Sequence, residues 1–145
     1  MATNSTENYA LNQWELTDGI IMEDFNKDNR TLDAALTEMK ASIPRIRTGT
    51  YVGTNTFGEE APNSLTFDFE PKLVIVRKCS GSMQDTLGNE LFFWTKGTNS
   101  DSVSTSTTRY YTLNGTTLSW YAKGIYASAA WQMNNSESYC YVAIG

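Results

Sequence analysis

The sequence contains no histidine among its 145 residues. Histidine is the commonest general base in enzymes and the commonest ligand of transition metals. A nucleophile elbow, a phosphate-binding glycine loop and an HExxH motif are also missing from the sequence. Serine is abundant, but without histidine its familiar route of activation is lost. We therefore expect no enzyme activity, no catalytic residues, no metal and no cofactor.

Basic residues are few as well. The chain has 11 Lys and Arg residues against 16 Asp and Glu residues, a net charge of −5, and no basic cluster. Binding of nucleic acid needs Lys or Arg to neutralise phosphates, so this charge argues against a nucleic-acid partner. No apolar run reaches the length of a membrane span, and no signal-peptide pattern is present, so we expect a soluble protein without membrane insertion.

Cysteine occurs only twice, at Cys79 and Cys140. Two cysteines do not form a disulfide framework, and no CxxC spacing indicates zinc or redox chemistry. Both lie in apolar, strand-like stretches. The pattern therefore predicts two buried free thiols.

A heptad pattern is the main positive feature of the N-terminal part. Apolar residues recur at two positions three residues apart, with one polar residue, Asn29, of the kind that fixes register in a coiled coil. Pro44 ends the helix, because the residue before a proline is pushed out of the α region. The pattern predicts a coiled-coil stalk; the alternative is an amphipathic helix packed on the following domain, which would show a broader apolar face. The predicted oligomerisation residues are Met22, Phe25, Asn29, Leu32, Leu36, Met39 and Ile43, and Ile46 continues the pattern.

Residues 47–145 have the alternation and turn signals of short strands. Leu65, Phe67 and Phe69 alternate with polar residues, which places Asp68 and Glu70 on the solvent side as solubilising charge rather than as a catalytic pair. The runs Leu73–Val76 and Leu91–Trp94 predict two more strands, the first covered on both faces. The residues Ile125, Ala127, Ala129, Trp131 and Met133 alternate in the same way and predict another strand.

A hairpin is predicted at Asn114-Gly115, since these residues suit the positive φ angles of a type I′ turn. This turn places Leu113 opposite Thr116, Tyr111 opposite Leu118 and Arg109 opposite Trp120. The core face then carries Tyr111, Leu113, Leu118 and Trp120, and the other face carries Tyr110, Thr112, Thr117, Ser119 and Tyr121. In the last strand, Cys140, Val142 and Ile144 point to one side, while Tyr139 and Tyr141 are predicted on the non-core side.

Tyrosines on the non-core faces are the candidate functional residues. Such rings either pack on neighbouring subunits, the simpler interpretation, or form a platform on which sugar rings stack. Two long polar loops, Ser80–Asn89 and Gly97–Thr108, add hydrogen-bonding groups of the kind that binding sites use. Trp94 is included, although burial is the simpler interpretation for it. The candidate ligand-binding residues are Tyr110, Tyr121, Tyr139, Tyr141, Trp94, Asp85, Asn89, Asn99 and Asp101.

Short runs spread over nearly the whole chain follow one another in a specific order. They are Asn12–Asp18, Met22–Asn26, Asp28–Asn29 and Leu32–Asp33, then Thr48–Gly53, Phe69–Val76 and Tyr141–Gly145. This order resembles that of short tail proteins from phages and prophages of Gram-positive bacteria, in which a Trp-containing segment and a helix precede a small β-rich head. The resemblance implies a trimeric tail-fibre or receptor-binding protein, and it concerns the architecture rather than any ligand residue.

These observations divide the chain into an attachment segment (1–17), a coiled-coil helix (18–46) and a head (47–145). Tyr9, Leu11, Trp14 and Leu16 are too many large apolar groups for a disordered tail, so the stalk or a partner should cover the attachment segment. About eight strands predict a mainly β fold, an antiparallel β-sandwich head of jelly-roll-like type.

The resemblance implies a homotrimeric virion protein. Its head would recognise bacterial surface polysaccharide without chemistry, and its N-terminus would contact other phage tail or baseplate proteins. The alternative is a structural tail adaptor that binds another virion protein and no glycan. An enzyme that degrades cell-wall polymer is the weakest of the three hypotheses.

Overall fold

The computed structural model describes residues 2–80 and 91–145, so the candidates Asp85 and Asn89, in the predicted loop Ser80–Asn89, lie outside the described residues. The chain forms two compact units, Met1–Pro44 and Arg45–Gly145. The structure is mainly β, with antiparallel strand pairs throughout and one helix in the part of the chain that it describes. This confirms the predicted β-rich class.

The first unit consists of a small hairpin and a helix. Strands β1 (Asn4–Ser5) and β2 (Asn12–Gln13) pair in antiparallel fashion, and helix α1 spans Met22–Ser42. Glu23 and Asp24 lie in its first turn and Lys40 in its last, so the charges suit the helix dipole. Ile43, next to Pro44, is already extended, as the proline predicts.

Polar residues hold the hairpin on one side of α1. The Asn12 side-chain amide donates to the carbonyl oxygen of Asp24 (3.1 Å) and to the Asp28 carboxylate (2.9 Å), which also accepts from the Asn12 backbone N–H. Asp18 accepts from the backbone N–H groups of Thr3 and Glu15, and its hydrogen bonds, that with the Thr3 hydroxyl first, lower the pKa of Asp18. These polar residues of the N-terminal runs therefore stabilise the unit internally.

The heptad stripe of α1 is exposed. Each apolar a and d residue from Met22 to Ile43 is at least 41% exposed, and no residue of the helix is buried. Asp24, Asp28, Thr31 and Ala35 are half-buried instead, and their side of the helix lies about a quarter turn from the stripe. The hairpin therefore covers a neighbouring side of α1 and leaves the stripe open. Within the hairpin segment, Leu11 and Trp14 are half-buried, whereas Tyr9 and Leu16 are exposed.

The second unit contains two four-stranded antiparallel sheets. The described strands are β3 (Ile46–Val52), β4 (Asn63–Thr66), β5 (Leu73–Lys78), β6 (Leu91–Thr95), β7 (Ser100–Ser104), β8 (Thr107–Asn114), β9 (Thr117–Gly124) and β10 (Ser138–Ile144). The first sheet has the order β3-β10-β5-β6, and the second has the order β4-β9-β8-β7. In the first sheet, the first and last strands of the unit, β3 and β10, therefore lie side by side.

The core lies between the two sheets. Phe92 of β6 contacts Trp120 of β9 edge to face, with ring centroids 5.1 Å apart, and Tyr51 of β3 meets the same indole at 6.3 Å. Phe67 and Phe69 are buried, and Asp68 and Glu70 are exposed, as the alternation predicts, although the strand itself ends at Thr66. In β5, Val74 and Val76 are buried but Leu73 and Ile75 are half-buried, so the predicted cover on the second face is only partial. The buried cluster comprises Phe67, Phe69, Val74, Val76, Phe92, Trp94, Tyr111, Leu118, Trp120, Met133, Tyr139 and Ala143.

The hairpin between β8 and β9 has the predicted core face but a different register. Leu113 pairs with Leu118 and Tyr111 with Trp120, so Gly115 and Thr116 form the turn. Gly115 has φ +58°, and a glycine at the first central position is typical of a type II′ turn. The predicted pairs were wrong because the turn lies one residue later. Each strand nevertheless keeps its inward residues.

The predicted faces of β10 were wrong. Tyr139 is 1% exposed and stacks on Tyr51 at 5.0 Å, and Tyr141 is half-buried against the core. Gly49 makes room for this ring, since a Cβ there would lie 2.6 Å from Cζ of Tyr141. Cys140, Val142 and Ile144 point outward instead. Both alternating sets are apolar, so polarity alone could not orient the strand.

Residues 125–137 form turns rather than the predicted strand. Buried polar side chains organise this segment. Gln132 accepts hydrogen bonds from the backbone N–H groups of Gly58 (2.8 Å) and Ala122 (3.1 Å) and donates to the carbonyl oxygen of Ala61 (2.7 Å). These side-chain hydrogen bonds take the place of the backbone hydrogen bonds that a strand here would have made with its neighbours.

Cys79 and Cys140 form a disulfide, so the predicted free thiols were wrong. Tyr139 pairs with Lys78 across β10 and β5, which places the two cysteines on neighbouring strands. Their Cα atoms are 5.3 Å apart, within the range that a disulfide spans.

Candidate functional site

Two of the predicted tyrosines form a stacked pair on the outer face of the second sheet. Tyr110 of β8 lies directly opposite Tyr121 of β9. Their ring centroids are 5.2 Å apart and the rings are nearly parallel, at 20°. Tyr110 is 37% exposed and Tyr121 is half-buried. The pair forms a continuous aromatic surface that reaches solvent.

Hydroxyl groups surround this pair. Thr112 pairs with Ser119, and Ser119 pairs in turn with Ser64 on β4, so all three share the outward face of the tyrosines. On the other side, Ser100 of β7 lies opposite Tyr110. The sequence alternation predicted Thr112 and Ser119 on this face, but Ser64 and Ser100 depend on the strand order. We call the surface formed by Tyr110, Tyr121, Thr112, Ser119, Ser64 and Ser100 the tyrosine face.

An ion pair borders the tyrosine face. Lys123, two residues after Tyr121, donates from Nζ to the Glu59 carboxylate at 3.2 Å. This hydrogen bond raises the pKa of Lys123, and both groups are well exposed. Since each charge has a partner, the border is close to neutral. The face therefore suits a neutral, hydroxyl-rich ligand better than a strongly charged one.

The prediction of one long loop at Gly97–Thr108 was wrong, because strand β7 occupies Ser100–Ser104 and β8 begins at Thr107. The candidates Asn99 and Asp101 from this segment serve the fold. The carbonyl oxygen of Asn99 accepts from the backbone N–H of Tyr111 at 2.9 Å, while its side chain is exposed beside the start of β7. The Asp101 carboxylate lies 3.3 Å from Nη1 of Arg109. Arg109 itself is 1% exposed, donates to the carbonyl oxygen of Trp131 and to the Tyr111 hydroxyl, and lies 4.9 Å above the Phe92 ring. Asp101 thus compensates a buried charge.

The remaining aromatic candidates are not on the tyrosine face. Trp94 is 1% exposed and donates from Nε1 to the carbonyl oxygen of Thr98 at 2.9 Å. Tyr139 and Tyr141 belong to the core side of the first sheet, as described above. Among the candidates that the structure describes, Tyr110 and Tyr121 lie next to each other. Asn99 directly precedes Ser100, the residue that pairs with Tyr110.

Two exposed carboxylates of the second unit occur in ion pairs with lysines. Glu70 lies 2.9 Å from Nζ of Lys96, and Glu59 pairs with Lys123. In residues 2–80 and 91–145 there is no group of three or more His, Cys, Asp or Glu residues placed to hold a metal ion. No helix in the described residues is long and apolar enough to cross a membrane.

Comparison with protein-family models, with curated proteins and with solved structures found no match for this chain.

Proposed function

We propose that this protein is a phage-type tail-fibre adhesin whose head binds bacterial surface carbohydrate without cleaving it. The observation that carries the proposal is the stacked pair of Tyr110 and Tyr121 on a hydroxyl-lined face. Aromatic rings pack against the apolar C–H faces of sugars, and hydroxyl groups both donate and accept hydrogen bonds. The face lies on a sheet rather than in a deep cavity, which suits an extended polysaccharide.

The exposed stripe of α1 supports the trimeric part of this proposal. Its apolar residues, including Leu36 at 56% and Met39 at 54% exposure, would bury apolar surface by packing on the same stripe of other copies. Three heads on one stalk would raise weak sugar binding through effective concentration. The N-terminal unit would attach the protein to other tail or baseplate proteins of the virion. Neither nucleic acid nor a membrane has a role in this proposal.

A structural adaptor of the tail is the second candidate function. An exposed pair of tyrosines also suits a protein interface, where tyrosine is enriched. In that case the tyrosine face would bind another virion protein and no glycan. The same set of variants separates the two functions.

The test measures binding of the purified protein to Gram-positive cells and to polysaccharides extracted from them. Tyr110→Ala and Tyr121→Ala are each expected to weaken binding about tenfold. Tyr126→Ala is the matched control, because Tyr126 is 67% exposed but lies in the turn after β9. Equal losses for all three variants would reject the tyrosine face as the binding site. No binding to any polysaccharide, together with binding to a tail protein, would reject the adhesin in favour of the adaptor.

A further inference from the structure

The outer face of the first sheet is apolar and largely open. Phe93 on β6 is 59% exposed, Leu91 is 40%, and Ile46 and Val52 on β3 are 63% and 67%. The strand registers place Val142 and Ile75 between these edges, side by side in one row with Thr48 and Phe93. The outward residues of the four strands are Ile46, Thr48, Thr50, Val52, Ser138, Cys140, Val142, Ile144, Leu73, Ile75, Arg77, Leu91, Phe93 and Thr95; we call this the apolar face.

The two outer faces of the second unit differ in chemistry. The tyrosine face is lined by hydroxyl groups, whereas the apolar face contains one charged residue, Arg77, and no carboxylate at its outward strand positions. A chain with net charge −5 that presents a face free of carboxylates can approach a copy of itself there with little repulsion. Exposed apolar patches of this extent mark interaction surfaces.

One residue of the heptad pattern lies on the apolar face. Ile46, the last d position of that pattern, comes after the end of α1 and is the first outward residue of β3. The apolar residues of the pattern therefore continue in sequence into the first strand of the second unit.

The areas also favour a copy of this chain as the partner. Four strands of up to seven residues present a face of roughly 400 Å², and a stripe along a 21-residue helix adds about 300 Å². A stable interface buries about 800 Å² on each partner. The apolar face supplies about half of this area, and the proposed contact between the helices of two copies supplies a separate part of it.

We infer that the apolar face is the contact between heads when copies of this chain associate. The inference rests on the proposed self-association through α1. It assigns the subunit contact to the first sheet and leaves the tyrosine face of the second sheet available to ligand.

The test is sedimentation equilibrium of the full chain, in mild denaturant if association is too tight to measure directly. Phe93→Asp is expected to weaken association at least tenfold. Ser102→Asp introduces the same charge at an exposed outward position of β7, outside the tyrosine face, and it should leave the association constant unchanged. Val52→Asp, at the other edge of the apolar face, repeats the test if circular dichroism shows that Phe93→Asp disturbs the fold.

Equal association constants for wild type, Phe93→Asp and Ser102→Asp would overturn the inference. A monomeric wild type would overturn it too. Glycan binding per site is measured separately on the Phe93→Asp variant, which keeps both tyrosines. Weaker self-association with glycan binding intact supports both proposals. Unchanged self-association with glycan binding intact rejects only the subunit contact, and absence of glycan binding by wild type and variant alike rejects only the adhesin.

Discussion

Cys79 and Cys140 join two neighbouring strands of the first sheet, β5 and β10, across 61 residues of sequence. The bridge lies on the apolar face, at the end of both strands where Lys78 pairs with Tyr139. It therefore fixes the register of the strand that also pairs with β3. A cross-link of this kind stabilises chiefly by restricting the unfolded chain.

Reduction of this bridge is expected to lower the free energy of unfolding by about 2–4 kcal/mol. The measurement is urea denaturation with and without reductant, compared with a Cys79→Ser/Cys140→Ser double variant. The reduced protein and the double variant should unfold at the same, lower urea concentration. An unchanged midpoint would mean that the bridge adds nothing to stability.

Two buried tyrosines predict a loss of stability at alkaline pH. Burial raises the pKa of Tyr111 to about 12 and raises that of Tyr51 still further. The folded state favours the neutral phenols, so their contribution is complete below the unfolded pKa near 10 and is lost as the pH rises through the folded value. For Tyr111 alone the loss by pH 12 is roughly 2 kcal/mol.

Urea denaturation at pH 8, 10 and 11.5 measures this loss. Tyr111→Phe should flatten the pH dependence, whereas Tyr126→Phe, in an exposed turn, should leave it as in wild type. Identical pH profiles for wild type and Tyr111→Phe would contradict the prediction.

Arg109 is expected to be far more sensitive than its ionic partner. Arg109→Lys keeps the charge but cannot reproduce contacts to Asp101, Trp131 and Tyr111 at once, so we expect a loss of about 2–4 kcal/mol. Asp101→Asn should lose less, about 1–2 kcal/mol, because the amide oxygen can still accept a hydrogen bond from the guanidinium although the ion pair is lost. Chemical denaturation gives both values. If Asp101→Asn lowered glycan affinity without any change in stability, Asp101 would be a ligand residue instead.

Gly53 is buried where the chain leaves β3. A Cβ at this position would overlap the carbonyl oxygen of Asn135 and lie 2.5 Å from the carbonyl carbon of Asn134, both of them backbone atoms. We expect Gly53→Ala to destabilise the protein by about 2 kcal/mol or more. Gly19→Ala is the control, since an added Cβ there meets no atom within 4 Å. Similar thermal midpoints for the two variants would contradict the packing argument.

Valency should dominate binding to whole cells. Leu36→Asp places a charge in the heptad stripe and is expected to weaken cell binding by about 10²-fold or more, with the affinity of a single head for soluble polysaccharide unchanged. Glu38→Asp, a conservative change outside the stripe, serves as the control. Equal cell binding by Leu36→Asp and wild type would rule out avidity through α1.

Sequence reasoning succeeded where polarity distinguishes the two sides of an element. Leu65, Phe67 and Phe69 alternate with polar residues, and the buried side follows directly. In the β8–β9 hairpin, moving the turn to Gly115-Thr116 changes every pair but keeps Tyr111 and Trp120 inward. Tyr110 and Tyr121 remain on the outward side, as predicted, and the shifted register places them directly opposite each other.

Sequence reasoning failed where both faces of a strand are apolar, and where the hydrogen bonds of a side-chain amide take the place of backbone hydrogen bonds between strands. In β10 the alternating sets Tyr139/Tyr141 and Cys140/Val142 are equally hydrophobic, and only the space over Gly49 decides between them. The Ile125–Met133 segment alternates like a strand, but hydrogen bonds from Gln132 hold it as turns. The disulfide depends on the pairing of β5 with β10, which no local pattern reveals.

The two ends of the second unit lie side by side. Ile46 pairs with Ile144, and the backbone N–H of Gly145 donates to the carbonyl oxygen of Arg45 at 2.9 Å. Mechanical load applied between these ends would separate β3 from β10 by breaking their hydrogen bonds one after another. Load that enters at Arg45 and leaves through the second sheet must instead cross the packed rings of Phe92 and Trp120. When the molecule is held through its helix, tension that leaves through the second sheet thus meets more resistance than tension that leaves through Gly145.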